Sequence, residues 1–247
     1  MSKKKVLILT DQRCGGTSFQ AIISSFLSKK VTAIDDPLTH FYKIKNEEQS
    51  WIKDLVSVDI KNYYNKYSHP EKVDLFDLIN FLYSGNINTI KISINSITKK
   101  QFDIFSRKIK RNKSFFIITL SRRNQFAKIL SLCKAYCLKE KIGDKAYDII
   151  DKDYIIKIPE EMFIREIKKH EEFLFRLKSI KVRSKNVFYY EDFFSKLSEL
   201  KRLKELLGVE IVQNPEYLCY NLLKNYNGDR VIVENYNKLK YLLEQEN

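Results

Sequence analysis

Short, nearly continuous runs of β-branched and aromatic residues alternate along this chain with longer stretches of helical periodicity. The runs are Val6–Thr10, Val31–Ile34, Thr89–Ile94, Phe115–Leu120 and Asn186–Tyr190. Read as nearly continuous runs, they fit strands buried on both faces. Between them the spacing predicts helices over Thr17–Leu27, Gln49–Tyr64, Leu75–Tyr83, Lys99–Lys110, Gln125–Lys139, Pro159–Lys181, Tyr190–Leu207 and Asn235–Glu244. In the longest of these, Phe163, Ile167, Leu174 and Leu177 fall on one face, with lysine and glutamate opposite. Strand and helix in alternation predict an α/β fold of three layers, a mostly parallel central sheet between helices.

Two stretches fit this rhythm poorly, Asp35–Asn88 and Lys141–Ile158, both rich in tyrosine and charge. Open α/β sheets bind ligands at the carboxyl ends of their strands. Insertions at those ends often carry acceptor specificity, although surface decoration explains them equally well. With six glycines and four prolines in 247 residues, no linker or domain boundary stands out.

Composition narrows the partners. Apolar residues make up 44% of the chain, enough for a sizeable core, and the formal net charge is +14. Such an excess favours nucleic acid, an anionic membrane surface or a phosphorylated cofactor. A bias toward Lys, Asn, Ile and Tyr would also produce it. No apolar run reaches the roughly 20 residues that span a bilayer. Met1-Ser2-Lys3-Lys4-Lys5 leads straight into a core-like strand rather than a signal-peptide apolar region. Four cysteines do not make a disulfide scaffold. Cys133 and Cys137, four apart on a helix, lack obvious partner ligands, so reduced thiols are expected. These features predict a soluble, cytoplasmic protein.

Three stations carry chemistry. In "LTDQRCGGTSF" (Leu9 to Phe19) a strand ends in a glycine turn, two hydroxyls and a helix. That is the architecture of an anion cradle: Gly15 and Gly16 let backbone N–H groups approach. Thr17 and Ser18 sit where the helix dipole favours negative charge, and Arg13 adds a cation. The Walker form G-x-x-x-x-G-K-[ST] is absent because no Gly-Lys-Ser or Gly-Lys-Thr occurs. In "IITLSRRNQFAKILSLCKA" (Ile117 to Ala135), Arg123 at a strand end and Ser131 two turns into a helix are spaced to grip one phosphate. In "NVFYYEDFFSKLSELKRLKELLGVE" a strand ends in Glu191-Asp192 at a helix start, and Gly208 closes that helix.

In this order the stations resemble the sulfotransferases that use 3′-phosphoadenosine-5′-phosphosulfate (PAPS), and most closely the bacterial carbohydrate and glycolipid enzymes of nodulation-factor and trehalose type. The resemblance covers most of the chain and thins between Ile44 and Asn88. It implies a single sulfotransferase-like domain with a P-loop nucleotide-binding-like architecture. An acceptor-binding insertion is expected around 35–88 and a second variable segment around 141–158. Arg13, Cys14, Gly15, Gly16, Thr17 and Ser18 take the place of the 5′-phosphosulfate loop. Arg123 and Ser131 match the 3′-phosphate pair, and Tyr190-Glu191-Asp192 the strand–helix signature. Lys91 in "IKISI" matches a lysine of the family's middle strand. The tail "VIVENYNKLKYLL" is similar to family C-termini. Gly16 departs from the pattern, standing where the family has Ser or Thr.

The resemblance implies in-line transfer of a sulfuryl group from PAPS to a hydroxyl of a carbohydrate or glycolipid, with no metal required. A fixed cation at the leaving oxygen lowers such a barrier, and Arg13 and Lys91 are the candidates. The acceptor hydroxyl needs a base within hydrogen-bond reach. Asp35, Asp36 and His40 follow the second strand, and Asp36-Pro37-Leu38 resembles the family's Glu-Pro-Phe. His69 and His170 read as structural or exposed. Two other classes stay open: a non-catalytic nucleotide- or nucleic-acid-binding protein on a degenerate sulfotransferase fold, and, less favoured, a P-loop kinase lacking its lysine.

Overall fold

The computed structural model describes residues 5–27, 33–39, 41–42, 60–85, 87–112, 114–143, 153–209 and 231–246. Five strands form one sheet: β1 (Val6–Thr10), β2 (Ala33–Asp35), β3 (Thr89–Ser93), β4 (Phe116–Ser121) and β6 (Val187–Tyr189). Their order is β2-β3-β1-β4-β6, and every pairing is parallel. All five predicted runs thus lie in the sheet, with ends shifted by a residue or two.

Helices cover both faces. They are α1 (Gly16–Leu27), α2 (Ile60–Asn65), α3 (Leu75–Ser84), α4 (Lys99–Arg111), α5 (Gln125–Ile142), α6 (Glu160–Ile180), α7 (Tyr190–Phe193), α8 (Leu197–Leu207) and α9 (Tyr236–Glu246). The two-residue period of β1 decides which face each side chain serves. Leu7 and Leu9 enter a core with Leu78 and Leu82 of α3, Phe105 and Ile109 of α4 and Phe173 of α6. Val6 and Ile8 enter a second core with Phe19, Ile22 and Ile23 of α1 and Leu200, Leu203 and Leu207 of α8. Burying each such side chain is worth about 1.5–3 kcal/mol, so β1 is anchored from both sides. Among the described residues, no helix is long and apolar enough to cross a membrane.

Three details differ from the sequence expectation. The predicted helix Tyr190–Leu207 is broken into α7 and α8. Phe194 N–H donates to the Tyr190 carbonyl and Lys196 N–H to that of Asp192. The Ser195 hydroxyl bonds back to the Glu191 carbonyl, a competition that favours turns over helix. Of the predicted Gln49–Tyr64 helix, only α2 lies within the described residues. Lastly, β5 (Tyr154–Ile156) and β7 (Val231–Val233) pair in a small second parallel sheet. With α5, α6 and α9 they close a third core containing Ile156, Ile158, Phe163, Val233 and Leu239. The end of the 141–158 segment is therefore built into the body of the protein.

Topology directs attention to one place. From β1 the chain moves to β2, returns to β3 beside β1, then crosses to β4 on its other side. Strand order reverses at β1, and the crevice beyond the carboxyl end of such a strand is the usual ligand position.

Candidate functional site

A cavity of about 500 Å³ opens at that crevice. It is lined by Asp11 to Arg13, Gly15 to Ser18, Asp36, Lys91, Ser93, Arg122, Ser131, Leu132, Ala135, Tyr136, Tyr190 and Phe194. Its centre is the loop that leaves β1. Arg13 and Gly15 both adopt left-handed backbone, φ 60° and 73°. Phe19 N–H closes the first turn of α1 onto the Gly15 carbonyl at 2.9 Å. The N–H groups of Gly16, Thr17 and Ser18 therefore have no partner within their own helix. No acidic residue occupies that first turn. The helix end presents donors and a positive dipole to the cavity.

Both glycines are required sterically. A Cβ on Gly15 would lie 2.8 Å from the rings of Tyr190 and Phe194. Gly15→Ala is therefore expected to lower stability by more than about 1 kcal/mol, because positive φ alone penalises alanine that much. A thermal melt unchanged from wild type would refute this. A Cβ on Gly16 would come within 2.9 Å of Lys91 Cδ and 3.0 Å of Thr10 Cγ2. The missing side chain at Gly16 makes room for the lysine that β3 sends across the loop.

Lys91 anchors one side of the cavity. Its ammonium lies 2.7 Å from Asp35 Oδ1, 3.4 Å from Asp36 Oδ2 and 3.4 Å from Thr17 Oγ1. The Thr17 hydroxyl donates to Asp35 Oδ2 at 2.9 Å. Asp36, at φ 39°, accepts from the Ser93 backbone N–H on Oδ1 and from the Ser93 hydroxyl on Oδ2 at 2.7 Å. Burial pushes the Asp36 carboxyl above its ordinary value. Lys91 opposes that rise and the neighbouring Asp35 charge adds to it.

On the other side of β1, Arg13 Nε donates to Ser131 Oγ of α5 at 3.2 Å. Arg122 follows β4, and its guanidinium stacks on the Tyr190 ring at 4.6 Å. Its Nε is buried and makes no hydrogen bond. Its nearest acid, Glu191 Oε1, stands 3.6 Å away. Arg123 lies outside the cavity lining, held by Asp192 at 2.5 Å and stacked 4.1 Å from the Tyr189 ring. Glu191 accepts the backbone N–H groups of Arg123 and Asn124, each at 3.0 Å. Burial raises the Glu191 carboxyl, but these N–H bonds and Arg122 outweigh it and leave the carboxyl below its ordinary value. The Tyr-Glu-Asp station therefore shapes the arginine turn and contributes the Tyr190 ring to the cavity.

Beneath the loop lies a buried group of charges. Asp11 Oδ2 meets the Lys128 ammonium of α5 and, at 3.1 Å, His170 Nδ1 of α6. His170 Nδ1 is also 3.1 Å from Lys128 Nζ. Asp11 Oδ1 accepts from Gln12 N–H and Asn95 Nδ2, each at 2.8 Å. Burial pushes the Asp11 carboxyl up, and His170 and Lys128 outweigh it, leaving it below its ordinary value.

The structure thus brings together Arg13, Gly15, Gly16, Thr17, Ser18, Asp36, Lys91 and Ser131 of the residues expected from sequence. Cys14 does not line the cavity, and burial above all pushes its thiol up to about 12. Cys133 is likewise a buried free thiol pushed up to about 12. His69 is exposed, against Tyr42, and His40 lies outside the described residues. Sequence reasoning missed Arg122, Ser93, Tyr136, Phe194 and the Asp11–Lys128–His170 group. For Arg122 a signal existed, since the strand end carries two arginines. The buried group is assembled from three distant segments and left none. No protein-family model matches the chain, and no curated protein matches it.

Proposed function

We propose that the chain is a PAPS-dependent sulfotransferase that moves a sulfuryl group to a hydroxyl of a carbohydrate or glycolipid, on a P-loop-like nucleotide-binding architecture. The observation that carries this reading is the placement of positive groups on both sides of β1 within one cavity. On the β3 side are the α1 N-terminus and Lys91; on the β4 side are Arg13 with Ser131, and Arg122. A ligand with two separate anionic ends fits that division, and a 3′,5′-bisphosphorylated nucleotide is such a ligand. The volume falls within the roughly 300–1,000 Å³ of small-molecule sites.

In this reading the N–H groups of Gly16, Thr17 and Ser18 hold the 5′-phosphosulfate. Lys91, which Gly16 admits to the loop, supplies the charge that the Walker lysine supplies elsewhere. Asp35 and Thr17 hold its ammonium, and the arriving anion competes with Asp35 for it. As the sulfur–oxygen bond to the phosphate breaks, negative charge grows on the bridging oxygen, and Lys91 stabilises it. Asp36 removes the acceptor proton; its raised pKa makes it a better base than a solvated aspartate. Tyr190 and Phe194 offer aromatic faces for a purine.

Arg122 rather than Arg123 is assigned to the 3′-phosphate, together with Ser131. Arg122→Ala is expected to weaken binding of adenosine 3′,5′-bisphosphate by about 1.5–3 kcal/mol, the range for a charged hydrogen bond. Binding of 5′-AMP should change far less, and Arg123→Ala should have the smaller effect on both. Titration calorimetry decides; an Arg123→Ala loss larger than the Arg122→Ala loss would restore the spacing-based assignment. The activity itself is tested by incubating the protein with sulfur-labelled PAPS and a panel of oligosaccharides and glycolipids. Transfer of label to any of them supports the reading. Retention of bisphosphate binding with no transfer to any panel member would favour the non-catalytic alternative.

A further inference from the structure

We propose that Asp11, Lys128 and His170 form a lock that holds the loop after β1 in its anion-receiving shape, so that the set of α5 and α6 against the sheet controls affinity at the site. This rests on the loop being an anion seat, and it adds three positioning residues that do not themselves contact the ligand's reacting atoms.

All three side chains are at most 2% exposed. Charges so completely removed from water are costly unless each is matched, and here each is. Asp11 Oδ2 is shared by the Lys128 ammonium and His170 Nδ1, while its Oδ1 takes Gln12 N–H and Asn95 Nδ2. His170 serves in either tautomer: with Nδ1 protonated it donates to Asp11, and with Nδ1 free it accepts from Lys128. Phe173, one turn on, lies face to face with its ring at 5.9 Å.

Connectivity makes this group a lock. Asp11 is the first residue beyond β1, two residues before the left-handed Arg13. Its carboxylate joins four elements: the loop itself through Gln12, the turn after β3 through Asn95, α5 through Lys128 and α6 through His170. Tyr136 of α5 adds a bond from its hydroxyl to Gln12 Oε1 at 3.2 Å. Arg13 reaches α5 again at Ser131, one helical turn from Lys128. The conformation of residues 11–15 is therefore tied to the position of α5 from three points. The group converges on the loop at the N-terminus of α1, which lines the cavity, and a plain structural ion pair does not require that.

The test separates positioning from stability. Lys128→Met strands Asp11 in the interior and should lower the melting temperature. The double variant Asp11→Asn/Lys128→Met removes both charges and should regain most of it, because replacing a whole buried pair by neutral groups of similar size is often tolerated. In that double variant, hydrogen exchange at Gln12 and Phe19, whose N–H groups bond Asp11 Oδ1 and the Gly15 carbonyl, should be at least ten-fold faster than wild type, with β1 and β4 unchanged. Affinity for adenosine 3′,5′-bisphosphate should be at least ten-fold weaker. Wild-type exchange at Gln12 and Phe19 of a stable double variant would overturn the proposal. Should the double variant fail to fold, His170→Asn carries the same exchange test, with a several-fold acceleration confined to Gln12 and Phe19 expected and an unchanged pattern overturning the lock. Exchange needs no nucleotide, so failure of wild-type protein to bind the bisphosphate would count against the nucleotide reading while exchange alone still decides the lock.

Discussion

Asp36→Asn should abolish transfer from PAPS while leaving adenosine 3′,5′-bisphosphate binding within a few-fold of wild type. A positioned general base contributes about 10²–10⁴ in rate, and asparagine keeps the shape of the side chain without its basicity. The bonds from Ser93 fix the carboxylate beside Lys91. The same variant makes a second, independent prediction. Burial raises the folded-state pKa of Asp36, so the folded protein binds a proton there more tightly than the unfolded chain does. Stability from this group is fully present below the unfolded pKa and is lost as pH rises through the folded one. At neutral pH the ionised carboxylate therefore costs stability, and Asp36→Asn should melt no lower than wild type. The comparison should move in favour of wild type as pH falls. Activity should follow the opposite course, falling as acid protonates the base. An active Asp36→Asn enzyme would exclude Asp36 and turn attention to His40.

Lys91→Met should reduce turnover by about 10²–10³, the loss typical of removing one group that stabilises developing charge. Affinity for PAPS itself, whose bridging oxygen carries little charge before the sulfur–oxygen bond breaks, should fall much less. The split between rate and affinity is the signature of an interaction strongest in the transition state. Methionine retains the stem that packs against Gly16, so a large fall in melting temperature is not expected from lost packing. If the variant instead loses affinity and turnover in equal measure, Lys91 is a ground-state anchor and Arg13 becomes the better candidate for the leaving oxygen.

Much of this arrangement is legible in the linear chain. Strands buried on both faces tend to be continuously apolar, and residues 6–9 are; Thr89–Ser93 is buried throughout although it alternates Thr, Lys and Ser with isoleucine. The glycine pair, Asp36 and Lys91 each follow or lie in such a strand, so an α/β topology gathers them at one crevice. What stayed hidden depends on distance or on fine orientation. β5 and β7 have three residues each and meet across 77 positions, too short for periodicity to register. Adjacent arginines at a strand end point in different directions. Which of them enters the cavity is decided by Asp192, which takes Arg123 from across the turn. Asp11 and His170 are 159 residues apart, and a histidine on an amphipathic helix gives no sign that its partner is a carboxylate at the opposite end of the chain. The glycine at position 16 reads in the sequence as a lost hydroxyl; in the fold it is the space through which Lys91 passes.

The most direct measurement is a thermal-shift and calorimetric comparison of adenosine 3′,5′-bisphosphate, 5′-AMP, ATP with magnesium and a mixed-sequence oligonucleotide on the wild-type protein. A ligand at 100 times its dissociation constant adds about 2.7 kcal/mol of stability, well within reach of a melting curve. The predicted result is strong stabilisation by the 3′,5′-bisphosphate alone, with 5′-AMP at least ten-fold weaker for want of the group that Arg122 and Ser131 receive. Tighter binding of magnesium ATP, or salt-sensitive binding of the oligonucleotide with no preference for the bisphosphate, would contradict it.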